Sequence, residues 1–383
     1  MNKALINNVK SYFTKTFNSN PLLIFSPGRI NIIGEHTDYN DGFVFPAAVN
    51  KGIVAAFEKS DSTTSKVTAL DLNDSIEFET SDLSPLPKES WGNYILGVIS
   101  EIKKTGKLVP NFNMVFSGDI PAGSGMSSSA ALENSVVFGL NELFDLGITK
   151  SEMIFISQKA EHNYVGVNCG IMDQYASMFG IKDHALLLDC RTTKATPFEI
   201  NFDGYELMLI NTNVKHSLSD SAYNDRRSVC ENISKLLGIK ALRDATENDL
   251  ESIKLDVTNE DYQKALFVIQ ENKRAESASK AMTEGDLVTL GKLIYGSHNG
   301  LQNQYKVSCN ELDFLVEQAK LNTNILGARM MGGGFGGCTI NLIANHAVDA
   351  FKESVSKAYK AKFDKDCSIY SVELSDGTGV INA

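Results

Sequence analysis

The stretch GDIPAGSGMSSSAALENS, Gly118 to Ser135, concentrates residue types that bind an anion through the backbone. It follows the strand-like run NFNMVFS, carries Gly123 and Gly125, and gives way to helical periodicity from Ser129. Free N–H groups and the positive end of a helix dipole would then converge on one point. No lysine follows the glycines, whereas the commonest phosphate loop, G-x-x-x-x-G-K-[ST], uses one to reach the terminal phosphates. Either the balancing charge comes from elsewhere or the stretch is a glycine turn with a serine N-cap. A capping box does not account for it, because Ser129 and Glu133 are four apart rather than three.

A second set of reactive types lies in SPGRINIIGEHTDYNDG, Ser26 to Gly42, where Arg29, Glu35, His36 and Asp38 stand beside the apolar Ile30, Ile32 and Ile33. Carboxylates that accept and His and Arg that donate suit a neutral polyol; a polar surface loop with one salt bridge is the plain alternative. In KAEHNYVGVNCGIMDQYASMFG, Glu161 and His162 end one helix, Gly166 and Gly170 permit a bend, and Asp173 falls in the first turn of the next helix. An aspartate there serves most often as a dipole partner. The cluster GGGFGG, Gly332 to Gly337, formally fits G-x-G-x-x-G, but the strand-like CTINLI follows it where a dinucleotide fingerprint needs a helix. A tight turn packed against a second backbone fits better and leaves room for ligand contact.

These residues need a large scaffold, and 383 residues with 43% hydrophobic and 22% charged content supply one, divided most simply into two domains meeting near residue 195. A net charge of −11 argues against a general affinity for nucleic acid or anionic membranes. The six cysteines form no C-x-x-C pair and read as reduced thiols of a cytosolic protein. The N-terminal stretch lacks the apolar core of a signal peptide, and Ile6, Val9, Phe13 and Phe17 recur at helical spacing. Strands are expected at PLLIF, followed by a turn at Ser26 to Arg29, and at KGIVAAFEKS, SKVTALDLNDSIEFET and NFNMVFSGDIP. A helix starting at Thr149 or Ser151, a short helix from Gly170, a strand at Ala185 to Cys190, mostly helical sequence from Tyr223 to Met282, a helix at AVDAFKESVSKAYKAKF and a last strand at CSIYSVEL complete the reading.

Together the motifs resemble the galactokinase family, within the superfamily of galactose, homoserine, mevalonate and phosphomevalonate kinases. GRINIIGEHTDY looks like its sugar signature, PAGSGMSSSAALE its ATP motif, CGIMDQYASMFG the segment of the catalytic aspartate, and MGGGFGGCTINLI the third motif. NTNVKHSLSDSAYNDRR, Asn211 to Arg227, adds a segment whose tyrosine meets the sugar. The resemblance implies an α+β, two-domain sugar-kinase fold: a ribosomal-protein-S5-like domain over 1–195, a ferredoxin-like domain over 196–383, and the active site in the cleft between. It implies ATP-dependent phosphorylation of α-D-galactose at the anomeric hydroxyl, the first committed step of galactose catabolism.

Carried over by position, Glu35, His36, Asp38, Gly170 and Tyr223 meet galactose, and Thr37 on the C2 side resembles the galactokinase form. Gly123, Ser124, Gly125, Met126, Ser127, Ser128 and Ser129 hold the triphosphate, and Ser129 and Glu161 hold Mg²⁺. Asp173 is the expected base, chiefly orienting the hydroxyl and taking its proton late, while Arg29 supplies positive charge. Asp38 and Tyr223 are expected to read the axial 4-hydroxyl. Met126 stands where leucine is usual and Met331 where threonine is usual; a serine that often meets the nucleotide is replaced near Asp71, which leaves the adenine pocket unassigned. Galactose and ATP are the expected partners of a cytoplasmic monomer that binds neither nucleic acid nor membrane. The rivals are a kinase for N-acetylgalactosamine, galacturonate or arabinose, and a non-catalytic sugar sensor, which the intact SSSAA disfavours.

Overall fold

The computed structural model describes residues 2–88, 90–215 and 219–382. His216, Ser217 and Leu218 of the Asn211 to Arg227 segment therefore lie outside the described residues. Three sheets organise the chain. The first has strand order β13-β1-β3-β6-β4-β5, built from β1 (Leu22–Asn31), β3 (Pro46–Lys59), β4 (Ser65–Ala69), β5 (Asp74–Phe78), β6 (Phe112–Gly118) and β13 (Gly379–Val380). The second runs β2-β7-β8, from Phe43–Val44, His184–Asp189 and Lys194–Glu199. The third runs β10-β11-β9-β12, from Ile325–Met330, Gly336–Ala344, Tyr205–Lys215 and Ser368–Ser371.

The helices are α1 (Lys3–Phe17), α2 (Gly92–Lys104), α3 (Ser128–Phe144), α4 (Lys150–Ala160), α5 (Met172–Phe179), α6 (Ser219–Leu236), α7 (Glu247–Ser252), α8 (Asn259–Glu284), α9 (Leu287–Asn303), α10 (Asn310–Lys320) and α11 (Val348–Phe363). None of the described helices is long and apolar enough to cross a membrane.

Strand alternation sorts the core of the first sheet into two faces. Leu23, Phe25, Val54, Ala56 and Val115 pack under Val9 and Phe13 of α1. Their neighbours Ile24, Ile53, Ala55, Phe57, Met114 and Phe116 face α2, α3 and α4. In the third sheet Leu207, Leu209, Ile340 and Leu342 face Leu290 and Ile294 of α9, along with Ile30, Ile32, Ile33, Phe45 and Ala47 of the first half. This shared apolar layer binds the two halves together. Met126 and Met331, the two departures from the family pattern, both sink into it, so each contributes volume to the core.

Several elements differ from the sequence reading for identifiable reasons. Ser26 to Arg29 is a bulge inside one continuous strand: Pro27 pairs with Gly52, Arg29 with Ala48, and the register shifts between. The Arg29 amide leaves the ladder and donates to the Met126 carbonyl at 3.0 Å, which turns the strand toward the glycine loop. A Cβ on Gly28 would stand 2.5 Å from that same carbonyl. The short helix begins at Met172, two residues after Gly170, because Gly170 packs against Asp38. CSIYSVEL is not the last strand; β13 returns to pair with β1 through Ile24 and Phe25. Thr149 caps α4 with a full capping box through Glu152, and the six cysteines are free thiols.

Candidate active site

Helix α3 begins at Ser128 with Ser127 at its cap in the left-handed region, φ 59°, and the Ser127 side chain makes no capping bond. Its hydroxyl instead donates to Asp173 Oδ2. The serine N-cap alternative thus fails, and the N–H groups of the first turn stay available, since a helix start has no intrahelical acceptors for them. They open onto a cleft of about 340 Å³ lined by Gly123 to Ser129, Glu161, Gly333 and Phe335. Ser124 Oγ is buried there without a partner among the described residues.

The two glycine clusters meet back to back. Gly125 (φ +73°) leaves only 3.1 Å between a built Cβ and the Met331 carbonyl, and Gly332 (φ +83°) leaves 3.2 Å to the Gly125 carbonyl. Side chains at either position would force the loops apart. The GGGFGG turn is therefore a close backbone approach that also lines the cleft, and Met331 is held by its N–H to the Cys338 carbonyl at 2.9 Å.

Arg29 sits where β1 leaves the bulge and spends its whole guanidinium locally. Nε donates to Asp173 Oδ1 at 2.8 Å, Nη2 to Oδ2 at 2.7 Å, and Nη1 to the Gly125 carbonyl. Burial works against its charge, but Asp173 and Glu35 outweigh that and hold its pKa above the usual value. Asp173 Oδ2 already accepts from Arg29 and Ser127, whereas among the described residues Oδ1 accepts from Arg29 alone. A free lone pair remains on Oδ1.

Glu35, His36, Asp38, Asp173, Tyr223 and Gly333 line a second pocket that shares Arg29, Asp173, Tyr223 and Gly333 with the cleft. Glu35 is buried, and its Oε1 accepts from Arg329 Nη1 at 2.9 Å and the Gly332 N–H at 2.8 Å. His36 adopts φ 62°; burial first, then the Arg226 charge, pulls its pKa down to about 3, so the ring is neutral. Asp38 is pushed up to about 7 by burial and then by the charge of Asp173. Gly170 is the floor under Asp38: a Cβ would lie 2.0 Å from the carboxylate. Tyr223 arrives from α6 with its ring 5.3 Å from that of His36.

Thr37 is the candidate whose side chain turns away. It is fully buried, and its hydroxyl shares one proton between the Gly34 and Phe43 carbonyls, 2.8 and 2.7 Å away. Its role is to close the signature turn. The Met126 side chain likewise turns into the apolar layer, and its carbonyl accepts from the Arg29 N–H. Asp71 accepts from Ser117 and from the Gly118 N–H at 2.7 Å, anchoring the end of β6.

Glu161 opens a π-helical turn, Glu161–Val165, that closes at Gly166 (φ 84°), a distortion frequent at functional sites. Burial followed by the Asp173 charge raises its pKa to about 7, against the lowering influence of the neighbouring Ser129 hydroxyl. Gln174 Nε2 donates to Glu161 at 3.1 Å. Among the described residues no group of three or more His, Cys, Asp or Glu gathers at metal-binding range. The sequence reading missed Arg329, the fully buried partner of Glu35, and the Tyr39–Tyr305 pair behind His36. Arg329 stands two residues before the third motif, yet nothing local marks a partner 294 positions away.

A strand-loop-helix phosphate cleft sharing a wall with a carboxylate-rich polar pocket defines a small-molecule kinase of the GHMP class. Residues 93–181 match the GHMP kinases N terminal domain and 278–361 the GHMP kinases C terminal family. Residues 11–59 match the galactokinase galactose-binding signature. The chain is 43% identical to the galactokinase of Thermotoga petrophila over 92% of its length and 98% of that protein. It is 41% identical to the galactokinase of Clostridium beijerinckii over 97% and 98%. The chain belongs to the galactokinase family. The crystal structure of Lactococcus lactis galactokinase complexed with galactose superposes with a TM-score of 0.93 at 34% identity, covering 98% of this chain and 99% of that one. The mevalonate kinase of Methanococcus jannaschii shares the fold, with a TM-score of 0.66 at 16% identity over 94% of this chain and 99% of that one.

Proposed function

We infer that the protein transfers the γ-phosphoryl group of ATP to the anomeric 1-hydroxyl of α-D-galactose, giving galactose 1-phosphate and ADP. The observation that carries this reading is the common wall: Arg29 and Asp173 line both the glycine-serine cleft and the carboxylate pocket. A phosphoryl donor on one side and a sugar on the other would meet there. Phosphoryl transfer passes through a loose transition state, so alignment and charge neutralisation dominate over nucleophilic push.

The roles follow from the bonds. Gly123 to Ser129 present backbone N–H groups and hydroxyls to the triphosphate. Arg29 holds its charge at the seam, fixed by the Gly125 carbonyl on the donor side and Asp173 on the acceptor side. Asp173 receives the anomeric hydroxyl on the free lone pair of Oδ1 and takes its proton as the O–P bond forms. Glu35, held by Arg329, keeps Oε2 for the sugar, and Asp38 and Tyr223 close around the axial 4-hydroxyl. Ser129 and Glu161 form a hydroxyl-carboxylate pair of hard oxygen donors at the cleft floor, which fits Mg²⁺. When bound, that ion offsets phosphate charge.

A coupled ADP-release assay with galactose, glucose, N-acetylgalactosamine and mevalonate tests class and substrate together. Turnover with galactose far above the others is expected, because a carboxylate left without its axial hydroxyl rejects glucose. ADP release with none of the four, alongside tight galactose and ATP binding, would instead reveal a sensor.

Asp38 makes galactose binding pH-dependent. Sugar hydroxyls donate to the ionised carboxylate, so binding lowers a pKa that stands near 7 in the free protein. Galactose affinity should therefore hold above pH 7 and weaken by up to about tenfold per unit below it. The stability sign is opposite. A raised folded-state pKa means that the contribution from Asp38 is full below its unfolded value near 4 and is lost as pH rises through 7. Calorimetry at pH 6 and 8 in buffers of different ionisation enthalpy should register proton release at pH 6, abolished in Asp38→Asn. Proton uptake there would reverse the assignment.

A further inference from the structure

A hydrogen-bonded chain runs from the sugar pocket into the helical core behind it. His36 Nδ1 lies 2.7 Å from Tyr39 Oη, Tyr39 Oη lies 2.7 Å from Tyr305 Oη, and Tyr305 Oη lies 3.4 Å from Cys230 Sγ. Tyr305 is fully buried and Cys230 nearly so, and the Tyr305 ring stacks 4.9 Å from that of His36 and 4.8 Å from Phe267. At the other end, His36 Nε2 is buried, faces no hydrogen-bond partner among the described residues, and belongs to a ring that lines the sugar pocket.

Each hydroxyl has one proton, so the chain is ordered in one of two directions. In the first, the thiol donates to Tyr305, Tyr305 to Tyr39, and Tyr39 to Nδ1. In the second, Nδ1–H donates to Tyr39 and the run ends with a phenol donating to sulfur. Sulfur is a weak acceptor and imidazole nitrogen a good one, so the first order makes the better bonds. Because burial keeps the ring neutral, one nitrogen carries a proton and the other does not.

We propose that Tyr305 is a positioning residue for sugar recognition: through Tyr39 it fixes the His36 tautomer with the proton on Nε2, so that the ring donates to a sugar oxygen. A hydroxyl oxygen that already donates its own proton to Glu35 or Asp38 is the acceptor this arrangement suits. Tyr305 itself touches no substrate. The inference rests on the galactose-pocket reading for its consequence, but the tautomer is a property of the free protein.

The test is long-range ¹H–¹⁵N spectroscopy of histidine imidazoles in the full chain without sugar, with the His36 signals assigned by their loss in His36→Gln. It is paired with galactose KM and kcat at saturating ATP. The wild type should show His36 protonated at Nε2. Tyr305→Phe should mix the tautomers and raise the galactose KM about 3- to 10-fold, the scale of one hydrogen bond, with kcat and the KM for ATP little changed. Tyr39→Phe, which removes the direct partner, should act in the same direction and decides the matter if Tyr305→Phe does not fold. An unchanged imidazole spectrum overturns the relay, and a shifted spectrum with an unmoved galactose KM overturns its role in recognition. Failure of the wild type to phosphorylate galactose would sink the kinase reading and leave the spectrum untouched.

Discussion

Asp173→Asn should lose between about 10²- and 10⁴-fold in kcat, the usual worth of a positioned proton acceptor, while galactose still binds. The variant is not a neutral isostere. Both carboxylate oxygens face Arg29 donors, so the amide nitrogen must oppose one of them, and Arg29, with no acceptor of its own, cannot adjust. Ser127 can, by rotating its hydroxyl to accept. Part of the loss then comes from a shifted guanidinium, which thermal denaturation and the KM for ATP will register. Asp173→Ala separates the terms, since it frees Arg29 without setting a donor against it. If Asn and Ala variants are equally slow with galactose affinity preserved, proton acceptance and hydroxyl orientation carry the effect. If Asp173→Asn turns over near the wild-type rate, Asp173 is not the base, and its ion pair with Arg29 is structural.

What the sequence made legible follows the range of the interactions. Val9 and Phe13 on α1, the glycine-serine loop and the Thr149 cap are local patterns, and each stands where periodicity or capping chemistry places it. The Pro27-Gly28 turn misled because its signal is local and the decisive contact is not. The Met126 carbonyl, nearly a hundred residues on, captures the Arg29 amide and converts a turn into a bulge. Thr37 misled for a related reason: a small polar residue between two site residues looks available, but the turn consumes its hydroxyl. Helices α9 and α10 went unassigned, although α9 supplies Leu290 and Ile294 to the layer on which both glycine loops rest. The Tyr39–Tyr305 pair joins residues 266 positions apart, and only the fold brings them together.

That shared layer has a functional consequence. Helix α8 also reaches across it: Glu271 accepts from the Gly34 N–H at 3.0 Å and from Ser297 Oγ at 2.6 Å, and Asn272 Oδ1 accepts from the Phe43 N–H at 2.9 Å. The turn presenting Glu35, His36 and Asp38 is thus pinned at both ends by one helix of the other half. The groups proposed to contact galactose, from one half and with Tyr223 from the other, are held by packing rather than by a flexible joint, which favours a preformed pocket for the proposed sugar.

Arg329→Met should destabilise the protein by about 3 to 5 kcal/mol and abolish measurable galactose binding, because it strands a buried carboxylate. Arg329 is fully buried, pairs with Glu35, and donates to the Ile32 carbonyl at 2.9 Å as well as to those of Asn31 and Met330. Methionine fills much of the volume but satisfies none of these acceptors, and among the described residues Glu35 keeps only the Gly332 N–H. The double variant Arg329→Met with Glu35→Leu tells stability from function. Replacing both members of a buried pair with apolar groups is often close to neutral, so the double variant should recover at least about 2 kcal/mol in urea denaturation. It should still bind no galactose, since the accepting carboxylate is gone. If the single variant stays within ~1 kcal/mol of wild type and binds galactose normally, Arg329 does not hold Glu35 in place for the sugar. If the double variant binds galactose, Glu35 itself leaves the site, and the pair exists to hold the turn after β1 against β10.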